Sequence, residues 1–255
     1  MKIAVCIKTI TGGAVDRDDA FLRTARTLPA VLPPYDGHAV EEALRIRERG
    51  GGVSEIVLLS IGVREGLGAL RQGLAMGADR AVLVSDPLLD GADISGVSRL
   101  LAALIEREAP DLALYCPWSG DIDGSMMFAM AAARLGLPSL GQLRSLMTED
   151  GRASGARQVE TGDQQLSAPL PCLVEVNDSI NKPRNASIKG RQQANAKPVQ
   201  LLSVSDLLPG DEFAAARTSI LTVEPAPATR HPVLVEAKDA PEKLLALLGE
   251  RRLLA

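Results

Sequence analysis

The loop at residues 117–126 holds the side chains whose types and spacing best suit ligand binding. Gly124 allows a close approach of the backbone, and Ser125 precedes a predicted helix whose free N–H groups could hold a phosphate. Asp121 and Asp123 lie two residues apart, but a metal site needs further ligands at suitable spacing. The alternative is an ordinary strand-to-helix loop in which an Asp or Ser caps the helix. The position of the loop at a predicted sheet edge favours ligand binding.

Sequence patterns typical of catalysis and of standard nucleotide sites are absent. Neither GxGxxG after the first strand nor the GxxxxGK motif of NTP-binding loops occurs. His38 and His231 have no nucleophile marked beside them and are interpreted as surface residues. Cys6, Cys116 and Cys172 lie far apart in apolar runs, which favours reduced, buried thiols over a disulfide framework. We therefore predict no catalytic residue and no metal ligand.

A basic segment at residues 178–200 has little helix or strand signal. Its cations are Lys182, Arg184, Lys189, Arg191 and Lys197, and no acidic residue occurs from 179 through 205. Ile188 provides an apolar side chain among these charges. A solvated surface loop and a docking arm, in which charge steers the encounter and an apolar tip inserts into a partner, both remain open.

Composition narrows the function classes. The chain has 255 residues, 46% of them apolar but only 2% aromatic, so a large aliphatic core can form while base stacking on nucleic acid is disfavoured. The net charge of −4 indicates neither a polyanion nor a membrane surface as partner. The sequence has no apolar run of about 18 residues and begins directly with a strand-like segment instead of a signal peptide. A cytoplasmic location without membrane insertion is expected.

Strand and helix patterns alternate in the first half of the chain. Strands are predicted at 3–7, 55–61, 81–84 and 111–116. Helices are predicted after Asp36, which can cap the first of them, and at 64–75, 95–108 and 126–135. Gly77 suits the end of the second helix because it tolerates positive φ. The order predicts an α/β fold: an open parallel sheet with helices on both faces, Rossmann-like but without GxGxxG. Ligands would then bind beyond the carboxyl ends of the strands, near residues 6–9, 60–63 and 117–126.

The second half departs from this alternation. A hairpin is predicted from 153–159 and 164–167, followed by a short strand at 173–176. A Pro/Ala-rich stretch at 223–232 indicates an extended arm, and a last helix is predicted at 240–248. We divide the chain into an α/β domain at 1–205, which includes the 178–200 segment, and a C-terminal arm at 206–255.

Four blocks, in matching order, resemble the β subunits of electron transfer flavoproteins. They are KIAVCIK at 2–8, PYD at 34–36 with AVEEA at 39–43, LAMGADR at 74–80, and the NKPR segment from 181 through Lys197-Pro198. The resemblance covers nearly the whole chain. It implies a heterodimer with a homologous α subunit, which carries most of the FAD site and which the C-terminal arm would contact. The pair would receive electrons from a flavin dehydrogenase and pass them to a quinone reductase or another acceptor, as an electron carrier and not an enzyme.

The resemblance also implies site residues. With the sheet-edge argument it assigns cofactor contacts to Cys6, Ile7, Lys8, Tyr35, Asp36, Gly62, Asp121, Asp123, Gly124, Ser125 and Met126. It assigns partner contacts to Arg184, Ile188, Lys189 and Arg191, with Ile188 at the position of a usual Leu anchor. In this family the β subunit holds AMP, or a second FAD in electron-bifurcating members.

Some residues depart from the family pattern. Gly124 stands where Thr is usual and Met126 where Gln is usual, so Ser125 and backbone N–H groups remain as phosphate donors. Pro33 replaces the usual Asn before Pro-Tyr, and Asn185 replaces a common Tyr. The expectation is therefore a divergent family member. The alternatives are a nucleotide-binding regulatory protein of the universal-stress type and a structural subunit with an empty nucleotide site.

Overall fold

A computed structural model describes residues 1–8, 10–11, 30–117, 126–210, 213, 216–218, 221–222 and 234–253. The chain divides into two compact units, 1–222 and 223–255. The α/β sheet and the basic segment both lie in the first unit.

Within the described residues, seven strands form the main sheet, and each neighbouring pair is parallel. Their order is β12-β5-β4-β1-β6-β11-β7. The strands in the described part of the chain are β1 (Lys2–Cys6), β2 (Ile10–Thr11), β3 (Ala30–Val31), β4 (Glu55–Ile61), β5 (Arg80–Val84), β6 (Leu112–Tyr115), β7 (Ser139–Leu143), β8 (Met147–Glu149), β9 (Arg152–Val159), β10 (Gly162–Pro169), β11 (Cys172–Val176) and β12 (Val199–Leu202). This arrangement confirms the predicted open parallel sheet.

Helices cover both faces of the sheet. The helices of the first unit are α1 (Pro34–Glu48), α2 (Leu67–Met76), α3 (Ile94–Glu108), α4 (Met127–Leu135) and α5 (Ile188–Ala194), and the second unit contains α6 (Ala240–Glu250). On β1, Ile3 and Val5 pack with α1 and α2, whereas Ala4 and Cys6 pack with α3 and α4. Because strand side chains alternate, one strand serves two cores, and burial of each such aliphatic side chain stabilises the fold by about 1.5–3 kcal/mol.

Gly77 ends α2 with a φ of 140°, as the sequence predicts. A Cβ at this position would also lie 2.9 Å from Leu44 Cδ2 of α1. The glycine therefore combines a left-handed backbone with close helix packing.

An ion-pair cluster joins four elements, β1, β4, β5 and α3, at the amino end of the sheet. Arg80 of β5 donates from Nε to Glu55 Oε1 at 2.9 Å and from Nη2 to Glu55 Oε2 at 3.0 Å. The same Nη2 reaches Glu108 Oε2, at the end of α3, at 2.5 Å, and Lys2 Nζ lies 2.9 Å from that oxygen. Hydrogen bonds from Arg80 hold the pKa of Glu55 below its ordinary value against the opposing effect of burial. We call this set the amino-end cluster.

The predicted hairpin is confirmed as β9 and β10, which pair with β8 in an antiparallel sheet of order β10-β9-β8. Gly155 of β9 passes beneath the chain before β8, where an added Cβ would lie 2.0 Å from Ser145 O. The third strand, β8, and the preceding sheet strand β7 were not predicted, because neither shows a sustained alternation of apolar residues.

The 178–200 segment is more ordered than its sequence indicates. It contains α5 and the first half of the edge strand β12. The seven-residue α5 is too short for a helical period to be visible, and β12 exposes Gln200 and Leu201. Packing on α2 and pairing with β5, both distant in sequence, stabilise these elements.

In the second unit, α6 confirms the last predicted helix and begins with a proline in its first turn. Leu244, Leu245 and Leu247 are exposed in this chain. The predicted arm at 223–232 lies outside the described residues. Among the helices that the structure describes, none has the length and apolar character needed to cross a membrane.

Candidate functional site

The strand order reverses at β1. The chain runs outward through β4 and β5, then crosses to β6 on the opposite side of β1. In open parallel sheets this switch point leaves a crevice beyond the carboxyl ends of the two central strands. Cys6 ends β1 there, and Tyr115 ends β6, directly before Cys116 and the 118–125 loop. The geometry therefore brings the predicted residues 6–8 beside the start of the predicted ligand loop.

Asp36 fixes the chain where it leaves β1. The Lys8 backbone N–H donates to Asp36 Oδ2 at 2.8 Å, and Asp36 is only 3% exposed. The expectation that Asp36 caps α1 is wrong, because the helix begins at Pro34, Pro33 is the N-cap, and no side chain caps it. The carboxylate instead ties the first turn of α1 to the loop after β1. Tyr35, its neighbour, is half-buried.

Backbone donors on this side of the crevice are already engaged. The Ile7 N–H donates to Leu59 O at 2.8 Å, and the Gly62 N–H donates to Val84 O at 3.0 Å. The residues therefore shape the walls of the crevice, and their N–H groups do not face a ligand. Donors for a phosphate would have to come from the other side.

The remaining predicted cofactor residues belong to the segment before α4. Asp121, Asp123, Gly124 and Ser125 lie outside the described residues, and Met126 precedes α4 with its side chain exposed. The assignment of these residues to a cofactor stays a prediction.

The walls of the crevice are buried and carry two carboxylates. Burial raises the pKa of the Cys6 thiol, and Asp36 adds to the effect, so the thiol is neutral. Burial also raises the pKa of Tyr115, with further contributions from Cys6, Asp36 and Glu175. The Tyr115 ring meets Phe128 of α4 edge to face, with centroids 6.1 Å apart. A neutral thiol and a neutral phenol leave an apolar, aromatic wall without an activated nucleophile.

One buried hydroxyl near the crevice has no partner. Ser60 of β4 is almost fully buried, and its Oγ finds no hydrogen bond among the described residues. It lies one residue before the carboxyl end of β4 and two before Gly62. An orphaned hydroxyl so close to the strand ends is the kind of group that a bound molecule or a water satisfies.

The basic segment is clamped to α1 by Arg184. The guanidinium Nε donates to Glu41 Oε2 at 2.7 Å and Nη2 to Glu48 Oε2 at 2.9 Å, while Nη1 reaches Glu48 Oε1 at 2.5 Å. The Arg184 backbone N–H also donates to Glu41 Oε2, at 3.2 Å. Hydrogen bonds from Arg184 hold the pKa of Glu48 below its ordinary value. We call Arg184, Glu41 and Glu48 the segment clamp.

A second link lies one helical turn earlier. His38 Nδ1 lies 3.1 Å from both Asn181 O and Asn181 Oδ1, which are acceptors, so Nδ1 carries the proton. Asn181 Nδ2 donates to His38 O at 2.9 Å and to Glu42 Oε2 at 3.1 Å. His38 is half-buried and therefore not the free surface residue that we expected. It helps to anchor the start of the segment.

Helices α2 and α5 cap each other. Arg71 of α2 donates to Ala194 O and Lys197 O, at 2.5 and 2.8 Å, and so caps the end of α5. In return Lys197 Nζ donates to Leu74 O and Ala78 O, at 2.9 and 2.6 Å, around the end of α2.

Contact between the two helices requires a glycine. A Cβ on Gly190 would lie 2.3 Å from Ala75 O, which is too close for any side chain at this position. Ser187 begins α5 by accepting the Gly190 N–H at 3.0 Å. The segment is therefore held at fixed distance from α2.

Three predicted docking residues remain on the surface. Ile188 is 78% exposed, and Lys189 and Arg191 are exposed without a partner among the described residues. Arg184 differs, because its guanidinium is occupied by two carboxylates of its own chain. The basic segment thus separates into internal anchors and an exposed tip.

Comparison with known proteins agrees with this architecture. The model of the electron transfer flavoprotein domain family matches residues 22–207. An electron transfer flavoprotein subunit beta of Mycobacterium leprae is 35% identical over 236 residues, which cover 89% of each chain. The chain belongs to the electron transfer flavoprotein β-subunit family.

Other members of the electron transfer flavoprotein β-subunit family cover similar lengths. The subunit beta of Syntrophomonas wolfei is 30% identical over 252 residues, 98% of this chain and 95% of its own. A subunit of the caffeyl-CoA reductase–Etf complex of Acetobacterium woodii is 32% identical over 210 residues, 81% of this chain and 80% of its own.

Two structurally important residues of this electron transfer flavoprotein β chain, Glu41 and Gly190, were not predicted from the sequence. The pairing of the Glu41 carboxylate with Arg184, 143 positions later, was not predicted. Gly190 was not singled out at all. The seven-residue interval between Glu41 and Glu48, which places both on one face of α1, is the one local signal for the clamp.

Proposed function

We propose that this chain is the β subunit of a heterodimeric electron transfer flavoprotein. It accepts electrons from a flavin-dependent dehydrogenase and passes them to a quinone reductase or another acceptor. The match to β subunits over nearly the full length of the chain carries this proposal. The chain acts as an electron carrier subunit, with no bond-making step of its own.

The cofactor of the proposed pair is FAD, seated between this chain and a homologous α subunit. FAD supplies the redox chemistry, and the protein binds and orients it and sets the surrounding charge. The crevice at the ends of β1 and β6 is proposed as the second nucleotide site, for AMP or another FAD.

The described walls of the crevice fit the planar ring of a nucleotide better than its phosphate. Tyr115, Cys6 and the nearby aliphatic chains suit a planar ring. Asp36 and Glu175 are buried and would repel a phosphate. We therefore assign the phosphate to Asp121–Met126 backbone groups and Ser125, beyond the described wall, and the residues Cys6–Lys8, Tyr35, Asp36 and Gly62 to shaping the pocket.

The exposed tip of the basic segment is the proposed contact for the electron donor. Ile188 would insert into an apolar site while Lys189 and Arg191 approach acidic groups. Arg184 acts as a positioning residue, because its clamp fixes the tip and leaves no guanidinium edge for a partner. The C-terminal arm at 206–255, whose α6 exposes several leucines, would bind the α subunit.

Co-expression with an α-type electron transfer flavoprotein chain tests this function. We expect a two-chain complex that is yellow and releases FAD on denaturation, as identified by mass spectrometry. The same measurement shows whether AMP, a second FAD or no nucleotide fills the crevice. A stable, colourless, solitary protein that carries ATP would instead indicate a regulatory nucleotide-binding protein and contradict the proposal.

A further inference from the structure

A groove of about 530 Å³ lies beside the exposed tip of the basic segment. Its walls come from the start of α1, the end of α2 and residues 183–195. Leu32, Pro34 and Met76 make an apolar side, whereas Arg71 and Arg191 supply positive charge. The groove is distinct from the crevice at the carboxyl ends of the strands.

The charge of the groove is not balanced within the described chain. Its described lining includes three arginines and no acidic residue. Arg184 is neutralised by Glu41 and Glu48 from outside the groove. Arg71 donates from Nη1 to neutral carbonyls only, and Arg191 has no partner among the described residues. Two uncompensated guanidinium groups beside an apolar wall favour a ligand that carries both carboxylate and apolar groups.

The groove is rigid before any ligand arrives. Gly190 against Ala75 O and the reciprocal caps made by Arg71 and Lys197 fix α5 on α2, and Arg184 fixes the chain before it. A preformed site avoids the entropic cost of ordering its walls on binding. Ile188 lies one helical turn before Arg191 on the same short helix, so the groove continues the proposed docking surface.

We propose that this groove receives an acidic, amphipathic segment of the electron-donating dehydrogenase. A carboxylate of that segment pairs with Arg191 and the free edge of Arg71, and its apolar side chains pack on Leu32 and Met76. The inference rests on the proposed function and gives the partner surface a chemistry. Ile188 is the projecting element of the contact, and the groove is the receiving one.

The test compares two charge reversals in the flavin-loaded heterodimer. Reduction of the flavin by its dehydrogenase is followed by stopped-flow absorbance at low and high salt. Arg191→Glu should slow reduction at least tenfold at low salt, because it places a like charge against the carboxylate. Lys182→Glu is the matched control: it makes the same charge change at an exposed residue of the same segment, outside the groove lining and outside the proposed tip, and should slow reduction less than threefold.

The possible results distinguish binding in the groove from non-specific charge attraction, and failure of this inference from failure of the proposed function. Equal losses in both variants, or no loss in Arg191→Glu, would overturn the groove while wild-type reduction persists. If the wild-type pair forms without flavin or no flavin dehydrogenase reduces it, both the function and this inference fail. That result is visible before any variant is made.

A second measurement does not depend on charge. The native cysteines are buried, so Asn195→Cys in the groove and Gln192→Cys outside it each provide one reactive thiol. A bulky maleimide on Asn195→Cys should block reduction by the dehydrogenase, whereas the same label on Gln192→Cys should leave most of it. Equal rates for the two labelled proteins would contradict the occupant proposed here.

Discussion

The amino-end cluster and the segment clamp use the same chemistry for different ends. In each, one arginine bridges two glutamates: Arg80 joins Glu55 and Glu108, and Arg184 joins Glu41 and Glu48. The first arginine lies 25 and 28 residues from its partners, within the succession of sheet elements. The second lies 143 and 136 residues from its partners and fastens a late segment to the first helix.

The two clusters therefore differ in what their loss should affect, fold stability or the position of the basic segment. Arg80 holds β4, β5 and α3 together, so its loss should weaken the whole fold. Arg184 holds a segment that lies on the outside of α1 and α2, so its loss should first disturb what that segment contacts. Each arginine has one buried partner, Glu108 at 7% and Glu41 at 5% exposed, but the second carboxylate is more exposed in the clamp, at 55% for Glu48 against 33% for Glu55.

Replacing Arg80 should give the largest loss of stability. Arg80→Met leaves Glu108 with Lys2 as its described cationic partner, and a buried carboxylate that loses a partner costs about 3 kcal/mol. The free energy of unfolding from urea titration measures this loss. The rate of flavin reduction in protein that remains folded should stay near wild type. A selective loss of that rate would contradict the assignment of Arg80 to fold stability alone.

Enlarging Gly190 should disturb the segment more than the sheet. The added methyl group meets the Ala75 carbonyl, so Gly190→Ala must shift α5, at about 1–3 kcal/mol. Gly96→Ala in α3 is the control, because its Cβ would lie 3.4 Å from Phe213 Cε2, an ordinary contact, and the residue is outside the groove lining. Reduction by the dehydrogenase should fall for Gly190→Ala and persist for Gly96→Ala. Equal behaviour of the two variants would show that the position of α5 does not matter.

Loosening the clamp should affect docking with a modest effect on stability. Arg184→Met removes charged hydrogen bonds from the half-exposed Glu48 and from Glu41, which keeps Arg45 as a partner at 3.2 Å, at about 1–2 kcal/mol after discounting for solvent. Arg184→Lys keeps the charge but loses the paired geometry and should recover part of the docking rate. Thermal unfolding and stopped-flow reduction measure the two effects separately. A stability loss as large as that of Arg80→Met would remove the distinction between the clusters.

Acid should weaken both clusters, the amino-end cluster more. Because the pKa of Glu55 is lowered in the folded state, its contribution is fully present above the unfolded pKa of about 4.3 and is lost as the pH falls through the lower folded value. Urea titrations from neutral pH downward should show this loss, and Glu55→Gln should flatten it. Glu48→Gln should flatten it less, since its half-exposed carboxylate is screened by water. The opposite ranking would contradict the assignment.

The sequence predicts those strands and helices whose apolar pattern is complete within one short stretch of the chain. The apolar run of β4 and the helical spacing of α3 are each visible within one window, and Gly77 marks the end of α2 correctly. By contrast, β12 is a strand because it pairs with β5, more than one hundred residues earlier. A single-sequence pattern cannot show that pairing.

The candidate site also has a part that the sequence predicts, the position of the crevice, and a part that it does not, the roles of individual residues. Strand ends and helix starts indicate the crevice, and the structure places Lys8 on Asp36 there. The role of Asp36 was nevertheless wrong in detail, because a capping position and a long-range acceptor look alike in sequence. The division of the basic residues into anchors and an exposed tip needs the positions of their partners, which only the fold supplies.

The exposed tip offers the most direct test of the separation between cofactor seating and donor contact. Ile188→Asp places a charge on a side chain that has no packing role in this chain. In the purified heterodimer it should leave the FAD content and the unfolding temperature unchanged while slowing flavin reduction by the dehydrogenase at least tenfold. Unchanged reduction kinetics at full FAD content would contradict the account.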